Sequence, residues 1–526
     1  MLAKIYSFGI LGIDAYHVEI ETDVVNGLPC VSIVGLPDSA IKESKDRVRS
    51  GIKNSGFDHP ASKITINLAP ANVKKEGSAF DLPIALGILC ASGQINAELL
   101  REYYFVGELS LNGELRPIKG ALAMALAMHK KKIKKIVIPI ANANEAAIVK
   151  GIKVFGIKTL REITEFLLNP KTRSPHKREA LDNIRTYDTE LDFSDVKGQA
   201  AAKRALEIAA AGKHNILLIG PPGSGKTMLA KRLPTILPDL TEEEAIETTK
   251  IHSSTGLMDA QAGLINEMPI RMPHHTISNI ALIGGGSIPQ PGEISLAHNG
   301  ILFMDEFPEF HKDALEALRQ PLEDGYIRIS RALRSLTFPA RFQLVCAMNP
   351  CQCGMLGQQK RSCLSGRQTC RCTPNEIYRY RSKISGPLLD RIDIHIDVPM
   401  VEYHELTSNV PAESSAQIRE RVNQARLRQE ERLCATGQSA LGGKNDNVRY
   451  NAQMSHKQTR KFCILGKEEN ELLKTAMNQF HLSARAFDKI LKVSRTIADL
   501  AGIEQIKTEH LAEAIQYRSL DREFFV

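Results

Sequence analysis

Residues 215–227 have the sequence Asn-Ile-Leu-Leu-Ile-Gly-Pro-Pro-Gly-Ser-Gly-Lys-Thr. The last eight match the pattern G-x-x-x-x-G-K-S/T in full, and the apolar run before them is typical of a buried strand. Glycines let backbone N–H groups approach phosphate oxygens closely, and a helix expected over residues 228–233 would direct its N-terminus at the anion. The pattern predicts a strand, a phosphate-binding loop and a helix, as in a doubly wound α/β domain. The candidate phosphate-binding residues are Gly220, Pro221, Pro222, Gly223, Ser224, Gly225, Lys226, Thr227 and Met228.

Two acidic residues follow a second apolar strand, expected over residues 301–304. We expect Lys226 to contact the β- and γ-phosphates of ATP, and the Thr227 hydroxyl to bind Mg²⁺. Asp305 would hold the same Mg²⁺, and Glu306 would activate water as the general base. Binding alone would not need Glu306, so the pair indicates ATP hydrolysis. An acidic helix cap after the strand is the alternative.

A third apolar strand, expected over residues 342–348, ends at Asn349. A polar side chain at that strand end could contact the γ-phosphate or the attacking water. The Asn-Pro dipeptide is equally typical of an ordinary turn, so the interpretation needs the spatial arrangement.

The composition excludes several classes of protein. The chain has 526 residues, of which 43% are hydrophobic and 24% charged, so it is neither collagen, nor wholly disordered, nor a small disulfide scaffold. It has no uninterrupted apolar run of ~18 residues, and its first residues lack a signal-peptide layout, so we expect a cytoplasmic protein without a membrane helix. The net charge of +8 permits a polyanionic partner without establishing one.

The patterns divide the chain into four segments. Residues 1–168 alternate strand and helix patterns, with strands expected over 15–21, 62–68, 134–140 and 152–157 and a helix over 39–55. Residues 169–190 begin with a charged stretch containing two prolines, which is typical of a linker. The nucleotide motifs lie in residues 191–400, and residues 401–526 are predicted to be mostly helical.

Five cysteines lie within residues 351–372: Cys351, Cys353, Cys363, Cys370 and Cys372. In a cytosolic protein this spacing indicates metal before disulfide. Four thiolates satisfy tetrahedral Zn²⁺, and a structural site would staple an otherwise long insertion. The C-x-C pairs are tighter than the usual spacing, and free thiols in a loop are the alternative.

Two segments are candidates for contact with DNA. The insertion and the residues after it are basic, which suits sequence-independent binding to phosphates; a solubilising surface is the alternative. The segment 271–291 carries His274, His275 and a glycine triplet. It could line a pore or be purely structural, and a metal-binding histidine pair is a third alternative, although no acidic residue is adjacent. The basic residues of the insertion region are Lys360, Arg361, Arg367, Arg371, Arg379, Arg381 and Lys383, set against Glu376.

These motifs, in this order, resemble the AAA+ ATPases. By that resemblance Asn349 falls at the position called sensor 1, and Leu388–Asp393 resembles the segment that bears an arginine finger. The resemblance implies that Arg391 reaches the ATP of a neighbouring subunit, although a local pair with Asp390 or Asp393 is the alternative. It also implies a sensor 2 arginine in the lid, for which Arg485 is the candidate and Arg495 the fallback.

A closer resemblance is to the ComM/YifB group of magnesium-chelatase-like AAA+ ATPases. It is carried by residues 273–276, 284–286, 291–300 and 385–391, and it covers essentially the whole chain. It implies a hexameric ring that acts on DNA as a helicase and drives branch migration in recombination during natural transformation. Members of the group carry the two C-x-C pairs, which favours Cys351, Cys353, Cys370 and Cys372 as the zinc ligands.

The N-terminal segment resembles the Lon protease domain. Residues 75–83 resemble the surroundings of the Lon nucleophile at Ser78, and residues 106–111 and 116–120 also match. Lon has a lysine where this chain has Leu122, and Lys119 is displaced from that position. A serine without a base is a poor nucleophile, so the resemblance implies an α+β Lon-like fold without protease activity.

Three other functions compete with a DNA motor. A chelatase-type motor would remodel a protein partner or insert a metal into a macrocycle. An ATP-dependent protease would need Ser78. A nucleotide-switched scaffold would bind ATP without stimulation by DNA.

Overall fold

The computed structural model describes ten stretches of the chain: residues 2–178, 191–258, 263–286, 289–331, 334–357, 370–401, 403–407, 412–434, 448–480 and 482–520. Several sequence-based expectations lie outside these residues: part of the linker (179–190), Cys363, and the basic residues Lys360, Arg361 and Arg367. Within the described stretches the chain forms two compact units. The first comprises Met1–Ile184, Thr241–Asn266 and Ser287–Pro291, and the second comprises Arg185–Leu240, Glu267–Gly286 and Gly292–Val526.

The strands are numbered in chain order. They are β1 Leu2–Leu11, β2 Asp14–Val25, β3 Cys30–Val34, β4 Lys63–Ala69, β5 Tyr104–Phe105, β6 Glu108–Leu109, β7 Leu115–Arg116, β8 Lys135–Pro139, β9 Lys153–Ile157, β10 Ile216–Ile219, β11 Ile270–Arg271, β12 Gly284–Gly285, β13 Gln290–Pro291, β14 Ile301–Met304, β15 Tyr326–Arg331, β16 Arg334–Pro339, β17 Gln343–Met348 and β18 Ile394–Asp397.

The α-helices are numbered in the same way. They are α1 Ser39–Asn54, α2 Asp81–Ala91, α3 Ala97–Leu100, α4 Ala121–Lys130, α5 Ala143–Ala146, α6 Leu160–Leu168, α7 Ala200–Gly212, α8 Lys226–Arg232, α9 Glu242–Thr255, α10 Asn279–Ile283, α11 Glu293–Leu296, α12 Lys312–Ala317, α13 Arg319–Asp324, α14 Pro374–Arg381, α15 Gly386–Leu389, α16 Tyr403–Leu406, α17 Ser415–Cys434, α18 His456–Phe462, α19 Lys467–Phe480, α20 Ala484–Leu500 and α21 Thr508–Gln516.

The first unit is built on a mixed seven-stranded sheet with the order β3-β4-β2-β1-β5-β8-β9. Strands β1 and β2 pair antiparallel, whereas β5, β8 and β9 run parallel to their neighbours. Helix α2 is buried along its whole length and packs on β1 and β2, because its sequence after Asp81 is apolar on every face. The strands and the helix expected from the sequence are confirmed here, with bounds that shift by a few residues.

The second unit contains a five-stranded sheet with the order β11-β14-β17-β10-β18, and all of its pairings are parallel. Strands β10, β14 and β17 are buried at every residue, as a parallel sheet covered on both faces requires. Their carboxyl ends lie at one edge of the sheet. This arrangement confirms the predicted α/β fold and brings the ends of β10, β14 and β17 together.

The helices after the sheet form the predicted helical segment. Helix α17 packs against α7 and α20, and α20 packs against α21. Residues Ile418, Val422 and Ala425 of α17, spaced at i, i+4 and i+7 on one face of the helix, are buried. Among the described helices, none combines the length and the apolar character that a membrane crossing needs.

Candidate active site

The loop after β10 has the conformation that phosphate binding requires. Gly223 and Gly225 adopt φ values of 77° and 87°, the left-handed region in which a side chain is strained. A Cβ on Gly220 would lie 2.2 Å from the carbonyl oxygen of Val398, so only glycine fits there. The buried hydroxyl of Ser224 has no hydrogen-bond partner among the described residues. The loop therefore forms a polar cradle at the N-terminus of α8.

Lys226 is folded over this loop. Its Nζ donates hydrogen bonds to the carbonyl oxygens of Gly220, at 2.7 Å, and Pro221, at 2.9 Å. It also lies 3.3 Å from Oδ1 of Asn349 at the end of β17. Burial lowers the pKa of Lys226, and the charge of Asp305 opposes that shift. A buried ammonium group that contacts only carbonyl dipoles is stabilised when an anionic phosphate approaches it.

Thr227 and Asp305 are in direct contact. The Thr227 hydroxyl donates to Oδ2 of Asp305 at 2.7 Å. A hydroxyl and a carboxylate beside a phosphate-binding loop are the oxygen ligands that Mg²⁺ prefers, so these residues fit the expected Mg²⁺–ATP. Met228, the last residue of the predicted loop set, is partly exposed on α8.

Glu306 follows Asp305 in a strained backbone conformation. Its φ is 53°, which is uncommon for a residue with a side chain, and its N–H donates to Oδ1 of Asp305 at 2.9 Å. The side chain is 57% exposed, and its Oε2 lies 3.1 Å from Nδ1 of His275. His275 in turn lies against His274, with ring centroids 4.1 Å apart. The exposed carboxylate is placed beside the nucleotide cradle and is held by one imidazole.

The contact between His275 and Glu306 was not anticipated from the sequence, which suggested a pore contact or a structural role for His275. The feature that would have predicted this contact is the order of the strands in the sheet. Strand β11 pairs with β14, Ile270 opposite Ile301, so the loops that follow the two strands are neighbours. Neighbouring strands cannot be identified from the pattern of a single sequence, and the pairing was therefore missed.

The cysteine pairs of the insertion come together directly after Asn349. One Sγ from each of Cys351, Cys353, Cys370 and Cys372 lies within 4.8 Å of the others. The separation is 3.3 Å between Cys351 and Cys353 and 3.7 Å between Cys351 and Cys370. The same loop touches the phosphate-binding loop, because a Cβ on Gly354 would lie 2.5 Å from Cδ of Pro222.

Arg391 and Arg485 lie at a second place in this unit. Arg391 donates to the carbonyl oxygen of Pro387 and forms an ion pair with Glu323. Arg485 lies 3.6 Å from the same carboxylate oxygen of Glu323. The fallback Arg495 is buried and donates to the carbonyl oxygen of Ile503 at 2.6 Å. Arg391 thus pairs locally, but with Glu323 rather than with Asp390 or Asp393.

In the first unit, Ser78 has a carboxylate as its neighbour. Its hydroxyl contacts Oε2 of Glu108, and Oε1 of Glu108 lies 3.6 Å from Arg116. Leu122 is fully buried in helix α4. Lys119 lies against Gly256, where an added Cβ would be 2.6 Å from its Cε. The described partner of Ser78 is therefore an acid and not a lysine.

Comparisons with known proteins find relatives of both the N-terminal and the C-terminal parts of the chain. Family models for magnesium chelatase subunit ChlI match residues 20–142 and 192–406, and a model for its C-terminal part matches residues 412–518. The chain is 46% identical to the competence protein ComM of Haemophilus influenzae over 529 residues, 99% of this chain and 98% of that protein. It is 43% identical to YifB of Escherichia coli K12 over 523 residues, with 99% and 98% covered.

A third match concerns only part of the chain. Over 159 residues, 27% of each chain, the protein is 31% identical to Lon protease 2 of Bacillus subtilis. The predicted Lon resemblance is therefore confirmed. Taken with the parallel sheet and the full-length relatives, these matches show that the chain belongs to the ComM/YifB group of magnesium-chelatase-like AAA+ ATPases.

Proposed function

We propose that this protein is an ATP-driven motor that acts on DNA as a hexameric ring, and that it promotes branch migration as a helicase during natural transformation. The full-length similarity to a competence protein supports the process, because competence is the state in which bacteria take up DNA. AAA+ family membership implies an oligomer; the number six and the DNA substrate are parts of the proposal.

The residues of the nucleotide site divide the work of hydrolysis. Lys226 binds the phosphates, and Thr227 and Asp305 hold the Mg²⁺, which supplies charge neutralisation to the bound ATP. Glu306 takes a proton from the attacking water, and Asn349 orients that water or the γ-phosphate. The geometry that supports this division is the 2.7 Å contact between Thr227 and Asp305 beside the cradle.

Arg391 is proposed to complete the site of the neighbouring copy. Its contacts within its own subunit are with Pro387 and Glu323, neither of which belongs to the nucleotide cradle. A guanidinium supplied across the interface stabilises the charge on the transferred phosphoryl group and is worth ~10³-fold or more in rate. Arg485 is proposed to sense the nucleotide from the lid.

The observation that best supports a nucleic-acid partner is the β15–β16 hairpin. One of its faces is apolar, with Ile327 and Phe338 buried. The other face is exposed and carries a guanidinium and three hydroxyls, from Arg328, Ser330, Ser335 and Thr337. Arginine and hydroxyl side chains on an exposed ribbon are the groups that contact phosphates without selecting a sequence.

A second exposed basic surface follows the cysteine pairs. Arg371, Arg379 and Lys383 are exposed there, and Tyr378 between them is 64% exposed. An exposed aromatic ring among arginines suits the stacking of unpaired bases. Lys383 is partly engaged by Glu309, at 3.1 Å.

We also propose that Cys351, Cys353, Cys370 and Cys372 bind a structural Zn²⁺. Zn–S bonds of ~2.3 Å in a tetrahedral site would place the sulfurs ~3.8 Å apart. The separations among Cys351, Cys353 and Cys370 are 3.3–3.7 Å, and the Sγ of Cys372 lies within 4.8 Å of all three. Thiols stay reduced in the cytoplasm, the compartment we propose.

The decisive experiment measures the ATPase rate with and without single-stranded and four-way-junction DNA, over a range of salt concentrations. We expect stimulation by DNA that weakens as salt rises, and no turnover in the variants Glu306→Gln and Arg391→Ala. Arg328→Ala should reduce the stimulation. It should also make the slope of log DNA affinity against log salt concentration shallower by about one. Arg161→Ala, which removes an exposed arginine from the first unit, is the matched charge control.

A chelatase-type motor is the second candidate, because the family models carry the name of a magnesium chelatase subunit. It would hydrolyse ATP with the same residues but without a response to DNA. An ATPase that requires Glu306 and Arg391 and is indifferent to every DNA structure would contradict the DNA motor and favour this candidate.

A further inference from the structure

Glu323 is the common partner of Arg391 and Arg485, the two arginines for which the AAA+ resemblance implies a role in hydrolysis. It lies on helix α13 with half of its side chain exposed. One of its carboxylate oxygens is paired with Nη2 of Arg391 and lies 3.6 Å from Nη2 of Arg485. The two arginines come from different parts of the second unit, one following α15 and the other in the first turn of α20.

The exposure of the two guanidiniums differs. The side chain of Arg391 is only 9% exposed and is fixed at both Nη atoms, by the Pro387 carbonyl and by Glu323. The side chain of Arg485 is 58% exposed, and its only described ion pair is with Glu323. A second link ties the same two segments, since the Ser483 hydroxyl donates to Oδ1 of Asp390 at 3.4 Å.

The charges of this cluster do not cancel. Two guanidiniums and one carboxylate leave one net positive charge, and without the carboxylate the two cations would repel each other. Glu323 therefore keeps two arginines close together while leaving charge for a further anion. The planar guanidinium also needs a defined direction, because its donors form a rigid fork that matches phosphate geometry.

We propose that Glu323 is a positioning residue: it orients Arg391 towards the phosphate of the neighbouring copy and couples that orientation to the lid through Arg485. This inference rests on the proposed function, in which Arg391 completes the site across a subunit interface. Glu323 touches no nucleotide in this scheme; it acts only through the arginines.

The first test compares Glu323→Gln with Asp324→Asn, which neutralises the adjacent exposed acid. Misplacement of a catalytic group by ~1 Å costs up to ~100-fold in rate, so we expect Glu323→Gln to lower kcat about 10- to 100-fold. Its affinity for a fluorescent ATP analogue should stay within about twofold of the wild type, because its own phosphate-binding loop is intact. Asp324→Asn should match the wild type in both measurements.

The second test uses mixed rings. Glu306→Gln lacks the base but retains Glu323 and Arg391, so mixing it with Glu323→Gln creates about a quarter of the interfaces with every group present. We expect the mixture to exceed the sum of the two separate activities. Mixing Glu323→Gln with Arg391→Ala should give no such gain, because both lesions lie on the same side of each interface.

The outcomes separate this inference from the function on which it rests. If Glu306→Gln and Arg391→Ala remain active, the proposed function fails. If both are inactive while Glu323→Gln retains the wild-type kcat, only the role of Glu323 is overturned. The role of Glu323 is also overturned if Glu323→Gln binds the analogue but its mixture with Glu306→Gln is no more active than the sum of the two. A gain in activity on mixing Glu323→Gln with Arg391→Ala would overturn it as well.

Discussion

His275 Nδ1 lies 3.1 Å from Oε2 of Glu306, the residue proposed to activate water. The carboxylate proposed to face the nucleotide is thus held by an imidazole from the neighbouring loop. Such a contact between partly exposed groups is weak, worth ~0.2–1 kcal/mol. A contact of that strength can bias the position of Glu306 without locking it.

Replacing His275 with phenylalanine should therefore release Glu306. The substitution retains a ring that can pack against His274 and Phe310, so the loop should keep its structure. Since the lost contact is worth up to ~1 kcal/mol, we expect the DNA-free ATPase rate to rise about two- to fivefold. The fold-stimulation by DNA should fall by the same factor. A DNA-free rate that drops instead would mean that the imidazole is needed for turnover.

The cysteine loop should influence nucleotide affinity through Gly354. This residue has a φ of 79°, and an added Cβ would lie 2.5 Å from Cδ of Pro222 in the phosphate-binding loop. Gly354→Ala should therefore raise the Kd for ATP several-fold, measured by fluorescence titration. Gly357 is the matched control, because its φ is 82° and an added Cβ would meet nothing within 4 Å. Gly357→Ala carries the same backbone strain of ~1–2 kcal/mol without the contact, so equal effects of both would refute the coupling.

Zinc loading gives a prediction that does not depend on ATPase activity. Purified protein should contain one zinc per chain by mass spectrometry of the metal, and Cys351→Ser should lose it because a buried thiolate ligand is removed. Cys434→Ser removes an exposed thiol in the same unit and should keep the metal. Equal zinc content in both variants would exclude Cys351 as a ligand.

Ser78 should not act as a proteolytic nucleophile. Its described neighbour is the carboxylate of Glu108, and the position expected for a lysine is occupied by the buried Leu122. Neither the wild type nor Ser78→Ala should degrade casein, with or without ATP, because the carboxylate beside the serine is a far weaker base than an amine. Proteolysis that disappears in Ser78→Ala would contradict this prediction.

The order of the motifs was enough to predict the fold and the cradle. Each of Lys226, Thr227, Asp305 and Asn349 follows a strand that is buried throughout, and parallel strands bring such ends to one edge. Their convergence is a consequence of that topology, so the sequence alone could anticipate it. The position of Glu306 after Asp305 follows in the same way.

The contacts of His275 and Glu323 could not be anticipated in this way. His275 reaches Glu306 only because β11 lies beside β14, and Glu323 gathers arginines from two distant segments. Neither relationship leaves a local pattern, because both depend on side chains meeting across separate elements. The helix α9 shows the same limit: motif order places it within the ATPase segment, whereas it packs with the first unit.

Acid should destabilise the protein through a buried network around Asp393, the residue directly before β18. Asp393 is 2% exposed, forms an ion pair with Lys489 and accepts a hydrogen bond from the Asn215 N–H at 3.0 Å. Burial alone would raise the pKa of Asp393, but Lys489 and the hydrogen bonds hold it well below its usual value. Burial also lowers the pKa of His214, which lies 3.4 Å from Asp393.

Both shifts act in the same direction. The folded state binds fewer protons than the unfolded state. The contribution of these two groups to the free energy of unfolding is therefore present at neutral pH and is lost as the pH falls. The loss from His214 begins below its unfolded pKa of ~6.5, and the loss from Asp393 follows below ~4. We expect the thermal midpoint of the second unit to fall steadily from pH 7 to pH 4.

The variant that tests this network is Asp393→Asn. Breaking a buried pair costs ~3–5 kcal/mol, so its midpoint at pH 7 should be much lower than that of the wild type. Below pH 4 its curve should flatten relative to the wild type, because the carboxylate that titrates there is gone. Lys489→Met, which leaves the carboxylate without its cation, should also lower the midpoint at pH 7. A wild-type midpoint at pH 7 in both variants would show that the pair contributes nothing to stability.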